Sequence, residues 1–273
     1  MALTEPISIR KLSEDDLAEA MELSSEASWN QVEADWQLFI KLGNVFGIKV
    51  DGVLVATAAT MPYGDELAWI GMVLTRKIWR GNGFGTSLLK HCVTFLEKDN
   101  RVPFLDATPA GEPIYRALGF ESVFSLTRWQ GNGGNTNSKA RRSNPDAAIA
   151  QANAAFGADR RALLSNFAAR RPDLAVSSHS GAVGFGRNGR VATQIGPVIA
   201  NNAGDGADLI ADMISTLSGP VFLDVNDRCT LVAERLNTMG FLRQRPFLRM
   251  RKGRTRTPID DIRTVAIAGP EFG

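Results

Sequence analysis

Apolar and polar positions alternate along ISIRKL and then change period after Ser13, so the N-terminus reads as a strand followed by a helix. Ser13 suits the cap of that helix, and Asp and Glu fill its first turn. VFGIKVDGVLVATAATM predicts a strand, an Asp-Gly turn and a second strand. LAWIGMVLT is the continuous apolar run of a central strand. Phe84, Leu88, Cys92 and Phe95, with Leu89 and Leu96 beside them, trace one face of a helix. VPFLDAT predicts another strand, EPIYRALGF a short helix ended by Gly119, and ESVFSLTRW a last strand. The pattern predicts an α+β fold with a mixed sheet.

This pattern breaks at GNGGNTNSKARRSNP, a stretch of linker composition with only Ala140 to bury. On either side of it one order of signals recurs. The first half has VPFLDATPAGEPIYRALGFESVFSLTRW and the second GPVFLDVNDRCTLVAERLNTMGFLRQRPFLRM. Both run Phe-Leu-Asp, helix, Gly-Phe, and then an arginine eight residues past the Phe (Arg128 and Arg249). Upstream, Ile70-Gly71-Met72-Val73 echoes Ile195-Gly196-Pro197-Val198. The halves read as diverged copies of one unit, with residues 1–130 and 147–273 joined by a linker over 131–146.

Composition narrows the function. The chain has 273 residues, 44% hydrophobic and 22% charged, with a net charge of +2. That suits a globular protein and gives no global argument for a nucleic-acid or anionic-membrane partner. The two cysteines, Cys92 and Cys229, have no metal-ligand or redox spacing, so no metal is expected and a reducing compartment is. No apolar run is long enough to cross a bilayer and the N-terminus lacks an apolar signal core, which makes cytoplasmic the expected location.

The chemistry concentrates at Arg80-Gly81-Asn82-Gly83-Phe84-Gly85, between an apolar strand and an amphipathic helix. Glycines there let the unpartnered first amides of the helix face an anion, which the helix dipole favours, and Arg80 adds a full charge. Thr86 and Ser87 offer hydroxyls. The spacing is neither GxGxxG nor GxxxxGK, which sets aside dinucleotide and nucleoside-triphosphate loops. A ligand-free strand-to-helix turn is the plain alternative.

Arg80-x-x-Gly83-x-Gly85 resembles the acyl-CoA loop of the GNAT superfamily of N-acyltransferases, and Tyr115-Arg116-Ala117-Leu118-Gly119-Phe120 resembles that family's Tyr-x-x-x-Gly-Phe segment. The likeness extends to bacterial two-domain members with a divergent second acetyltransferase-like domain, through the segment Trp29 to Trp36, AFGADR, IGPVIA, RPFLRM and AIAGPEFG. It implies two tandem GNAT-like domains of the acyl-CoA N-acyltransferase fold, with acetyl-CoA as cosubstrate.

The resemblance also implies roles. The pantetheine arm would pair with the backbone of Val73, Leu74 and Thr75, and the pyrophosphate would lie on the amides of Gly81, Asn82, Gly83, Phe84, Gly85 and Thr86 beside Arg80. Tyr115 would be the general acid, and Glu66, at the start of the strand, is the choice of base. Trp29, Asn30 and Asp35, with Gln31 and Trp36, fall in the region that lines the acceptor cleft. Asp106 and Thr108 are further pocket groups, although the counterpart Asp224 favours a structural role for Asp106. His91 and His179 are lone histidines, and Cys92 reads as core.

The second half lacks the loop: Asn201 to Met213 has no Arg-x-x-Gly-x-Gly, and it places Asp205 and Asp208 where a phosphate needs positive charge. Leu236 stands where Tyr115 does. The expected activity is acetyl transfer from acetyl-CoA to the primary amine of a small molecule by direct attack in a ternary complex, catalysed in the first half. A non-catalytic acyl-CoA sensor and a protein or peptide acetyltransferase stay open as alternatives, as does a homodimer.

Overall fold

In the computed structural model, which describes residues 8–134, 141–256 and 258–273, one sheet of 13 strands runs through both halves. In chain order the first half has β1 (Ile9–Lys11), α1 (Leu17–Glu26), α2 (Glu33–Leu42), β2 (Asn44–Val50), β3 (Val53–Tyr63), β4 (Leu67–Thr75), α3 (Phe84–Lys98), β5 (Val102–Ala107), α4 (Glu112–Ala117) and β6 (Glu121–Asn132). The second continues with β7 (Arg141–Arg142), α5 (Pro145–Phe156), α6 (Arg161–Arg170), β8 (Val176–Ser177), β9 (Val183–Arg187), β10 (Thr193–Ile199), α7 (Ala203–Thr216), β11 (Pro220–Asn226), α8 (Thr230–Thr238), β12 (Leu242–Arg251) and β13 (Thr264–Ala266). Of the expected linker over 131–146, residues 135–140 lie outside the described residues, while β6, β7 and α5 take up 131–132, 141–142 and 145–146.

Local sequence explains the first elements. Asp16 Oδ2 accepts from the Ser13 amide at 3.1 Å, so the predicted cap forms, on a short 3-10 turn that leads into α1. The Asp51-Gly52 turn between β2 and β3 has φ of +49° and +79°, the pair of positive angles that matches strand twist. The amphipathic α3 buries Phe84, Leu88, Leu89, Cys92, Val93 and Leu96 against the sheet.

The strand order is β1-β2-β3-β4-β5-β12-β6-β11-β13-β10-β9-β8-β7. Thus β12 of the second half lies between β5 and β6 of the first, and β6 pairs with β11 of the second. Each half hands one strand across, β6 from the first and β12 from the second. The β6·β12 register places Phe124 opposite Arg249 and Arg128 opposite Arg245, a reciprocal arrangement that matches the repeat in the sequence. A shared sheet therefore joins the two copies, rather than a linker alone.

In both copies two parallel strands begin paired and then separate. Pairing of β4 with β5 covers Leu67–Trp69 against Val102–Phe104, and that of β10 with β11 covers Thr193–Ile195 against Val221–Leu223. In the second copy β13 enters the gap, pairing with Val198 and Ile199 of β10 and with Val225 of β11. In the first copy no strand among the described residues lies on the β5 side of β4 beyond Trp69.

Candidate active site

The open gap of the first copy is the candidate site. Along β4 the backbone bulges: Met72 has φ +53°, the pairing with β3 shifts between Thr57 and Ala59, and Thr57 Oγ1 donates to the Met72 carbonyl at 2.9 Å. Val73, Leu74 and Thr75 follow this bulge. Leu74 is buried in the core, whereas Val73 and Thr75 line a cavity of about 370 Å³ in front of the glycine loop.

That cavity is also lined by Arg80, Gly81, Gly83, Phe84, Gly85, Thr86, Ile114 and Tyr115. Gly83 sits at φ +78° as the N-cap of α3, a left-handed conformation that a side chain would strain. The first helical bond runs from the Ser87 amide to the Gly83 carbonyl at 2.9 Å, and none of the amides of residues 81 to 83 donates to a backbone carbonyl. Open space surrounds Gly81 and Gly83. Arg80 is exposed, its Nε donating to the Thr75 carbonyl at 3.3 Å, and it meets no carboxylate among the described residues. The side chain of Asn82 is turned into the loop, donating to the Trp79 carbonyl at 3.0 Å, so only its amide faces outward chemistry. Free amides, a helix N-terminus and an unpaired guanidinium, with no acid in the lining, suit a pyrophosphate.

Tyr115 and Val73 line a second, inner cavity of about 100 Å³ as well. Tyr115 is therefore the wall between the loop cavity and the inner one. Its ring lies over Gly111, where a Cβ would come within 2.8 Å of Cε2. Burial raises the phenol above its ordinary value. Trp29, Asn30, Gln31, Asp106 and Thr108 line the inner cavity, as expected from sequence. Two of them are already committed to structure. Asn30 Oδ1 accepts from the amides of Val191 and Ala192, both at 2.9 Å, and its Nδ2 donates to the Ala192 carbonyl at 3.0 Å. Asp106 takes two hydrogen bonds of 2.9 Å from Arg249; its burial raises the carboxyl, against the pull of that guanidinium.

Two expected residues lie elsewhere. Asp35 is buried at the start of α2, where Oδ2 caps the Val32 amide at 3.1 Å and Oδ1 accepts from Arg170 at 2.7 Å; Trp36 beside it is core. Glu66 precedes β4, seven residues from Val73, or about 23 Å along a strand. Its Oε1 accepts from the Arg256 amide at 2.6 Å, and it does not line the cavities. The rise of the strand puts the chosen base at the wrong end.

The carboxylate that the inner cavity has instead is Glu271. After β13 the chain returns to the first half: the Pro270 carbonyl accepts from Trp69 Nε1 and the Phe272 carbonyl from Tyr63 Oη, both at 2.8 Å, and the Phe272 ring stacks on Phe39 at 4.8 Å. Glu271 Oε1 takes a hydrogen bond from Arg187, while Oε2 receives none among the described residues. Arg128, Arg245 and Phe247 complete that side. Nothing in the local sequence marks Glu271 or Arg245 as site residues; only the strand exchange and the returning tail bring them there. Cys92 is fully buried with its thiol pushed up, and His91 sits edge-on to Phe46 with burial lowering it.

The acetyltransferase (GNAT) family matches residues 10–120, and an acetyltransferase (GNAT) domain matches residues 149–264. The chain belongs to the GNAT acetyltransferases and carries two such domains in tandem. Among its relatives is an uncharacterised N-acetyltransferase of Bacillus subtilis, YitH, 24% identical over 245 residues that span 85% of this chain and 86% of that one. A protein of Pyrococcus horikoshii, described provisionally as an acetyltransferase, shares the fold with a TM-score of 0.79 at 16% identity over 100% and 98% of the two chains. A GCN5-related N-acetyltransferase of Sphaerobacter thermophilus does so at 0.64 and 15% identity, over 92% and 96%. No helix among the described residues is long and apolar enough to cross a membrane.

Proposed function

We propose that the first copy transfers an acetyl group from acetyl-CoA to a primary amine of a small molecule, by direct attack with both substrates bound. The observation that supports this best is Tyr115 standing as the shared wall of the loop cavity and the inner cavity. Bound acetyl-CoA supplies the thioester. The amides of residues 81 to 86 and Arg80 hold its pyrophosphate, and the unpaired edge of β4 at Val73 to Thr75 holds its arm like an added strand. Tyr115, kept protonated by burial, holds the proton that the departing thiolate needs. Glu271 Oε2 takes over from Glu66 as the group that receives the proton of the amine. Most of the acceleration comes from holding amine and thioester together at the junction of the cavities. The second copy, whose gap is filled by β13, has no donor site of this kind and completes the acceptor side through β12 and the tail.

Calorimetric titration with acetyl-CoA of the wild type and of an Arg80→Glu, Gly83→Asp variant tests the donor site. Thiol release with a panel of amines then tests turnover. Micromolar binding lost in the variant, followed by amine-dependent release, is the expected result. Binding without turnover of any amine would make the protein a sensor, and no binding by folded protein would reject the site.

A further inference from the structure

Beside the inner cavity lies an outer one of about 660 Å³, and the two share Asn30, Arg128 and Arg245 in their walls. The outer cavity has no acidic residue in its lining; its only charged groups are these two arginines. Around the inner cavity the buried charges close in pairs: Arg128 on Asp224, Arg249 on Asp106 and Arg187 on Glu271. Arg245 is left over. It has no carboxylate partner among the described residues, and its Nε is buried without a hydrogen bond.

The register sharpens this asymmetry. Arg245 lies directly opposite Arg128 on the β6·β12 ladder, and the symmetric place in the first copy pairs Arg249 with Phe124. Like charges opposite each other destabilise a sheet; Asp224 offsets Arg128 through its two hydrogen bonds, and Arg245 has no such bond to a carboxylate among the described residues. Burial lowers the Arg245 guanidinium, and the neighbouring Arg128 lowers it further. Beside them, Gln31 is 5% exposed and its Oε1 has no partner, an acceptor waiting for an N–H.

Resting on the acetyl-transfer reading above, we propose that the acceptor is an amine that also carries a carboxylate, held by Arg245 with Arg128, so that Arg245 sets acceptor specificity. The amine enters the inner cavity towards Tyr115 and Glu271. Its anionic end stays at the mouth of the outer cavity, and its N–H groups meet Gln31. A phosphate-bearing amine shares this chemistry and is the comparison arm.

The test is steady-state acetylation, read as CoA release, of 4-aminobutyrate, L-methionine and L-phenylalanine, each beside its carboxamide. 2-Aminoethyl phosphate beside ethanolamine is the phosphate arm, and 1,4-diaminobutane the cationic one. Wild type is expected to prefer carboxylates over carboxamides by at least about tenfold in kcat/KM. Arg245→Gln should raise KM for the carboxylate roughly ten- to a hundredfold with little change in kcat, and Arg245→Lys should restore part of it. Arg245→Glu should turn the preference towards the diamine, a reversal that a merely structural role would not produce. Binding of acetyl-CoA should be unchanged in all three variants. Equal use of carboxylate and carboxamide, a preference for the phosphate arm alone, a preference that survives Arg245→Gln, or no turnover of any carboxylate-bearing amine by protein that binds acetyl-CoA would overturn the assignment. Failure of wild type to bind acetyl-CoA would instead reject the reading on which it rests.

Discussion

Asp106 and Arg249 meet through two parallel hydrogen bonds of 2.9 Å across 143 residues of chain, and the repeat-related pair Asp224 and Arg128 meets through two of 2.8 Å. Each copy's Phe-Leu-Asp strand thus receives the arginine of the strand that the other copy hands across. Arg249 is fully buried, over the rings of Trp69 and Phe124 at 4.4 and 4.9 Å. The pairs are the bolts of the exchange.

Removing one partner should therefore be costly. Asp106→Asn leaves a buried guanidinium uncompensated and is expected to lose about 3–5 kcal/mol of stability. Asp106→Asn with Arg249→Met should recover part of that loss. Urea unfolding followed by circular dichroism measures both, and the wild type should lose its two halves in one transition because they share a sheet.

The loop makes a separate prediction. Arg80→Glu should weaken acetyl-CoA binding at least about tenfold, since it replaces a favourable charge beside the phosphates with a repulsive one. Arg80 is exposed and makes no ion pair among the described residues, so the melting temperature of the free protein should not move. An unchanged dissociation constant would place the pyrophosphate elsewhere.

Tyr115→Phe should lower kcat by about 10²- to 10⁴-fold while leaving acetyl-CoA affinity intact. Burial raises the phenol above its ordinary value near 10. The protonated, proton-donating form then persists through neutral and mildly alkaline pH. A pH–rate profile should show no decline attributable to this group below about pH 10; a fall near pH 8 would argue for another acid.

Stability against acid should depend on Asp16. Burial pushes its carboxyl up, but the Ser13 amide, the Lys49 ammonium and the Arg10 guanidinium together bring it below the ordinary range. A depressed carboxyl stabilises the fold above its unfolded value, about 3.9, and that contribution disappears as pH falls through the folded value. Asp16→Asn is expected to be less stable than wild type at pH 7, and the difference should shrink as pH falls through the folded value in denaturant titrations. A difference that stays constant as the solution is acidified would show that the charge is not the cause.

Much of the first copy was legible because its signals are local. The Ser13 cap, the Asp51-Gly52 turn, the apolar face of α3 and the glycine loop each depend on residues within one element or one turn. Tyr115, singled out by its spacing to Gly119 and Phe120, lines both cavities. The acceptor side was legible only in part. Trp29 and Gln31 line it, but Asp35 turned out to cap α2 and hold Arg170, a use that no local pattern distinguishes from substrate binding. Glu66 lies outside both cavities, since β4 is long enough to separate its two ends. The repeat disclosed Arg128 and Arg249 as equivalent but could not say that they cross over, because strand pairing across an exchange leaves no mark in the period of either strand. Glu271 and Arg245 come from the tail and from β12, both far in sequence from the residues they face.

The exchange of β6 and β12 also fixes an order of events during synthesis. A chain emerging from the ribosome N-terminus first can form β1 to β5 early, but β5 lacks its second neighbour, β12, until Arg251 has been made. Until then an open strand edge and the apolar bed of Trp69 and Phe124 face the solvent, the kind of edge that recruits other chains. The copy that carries the glycine loop is made first, and its sheet is completed last.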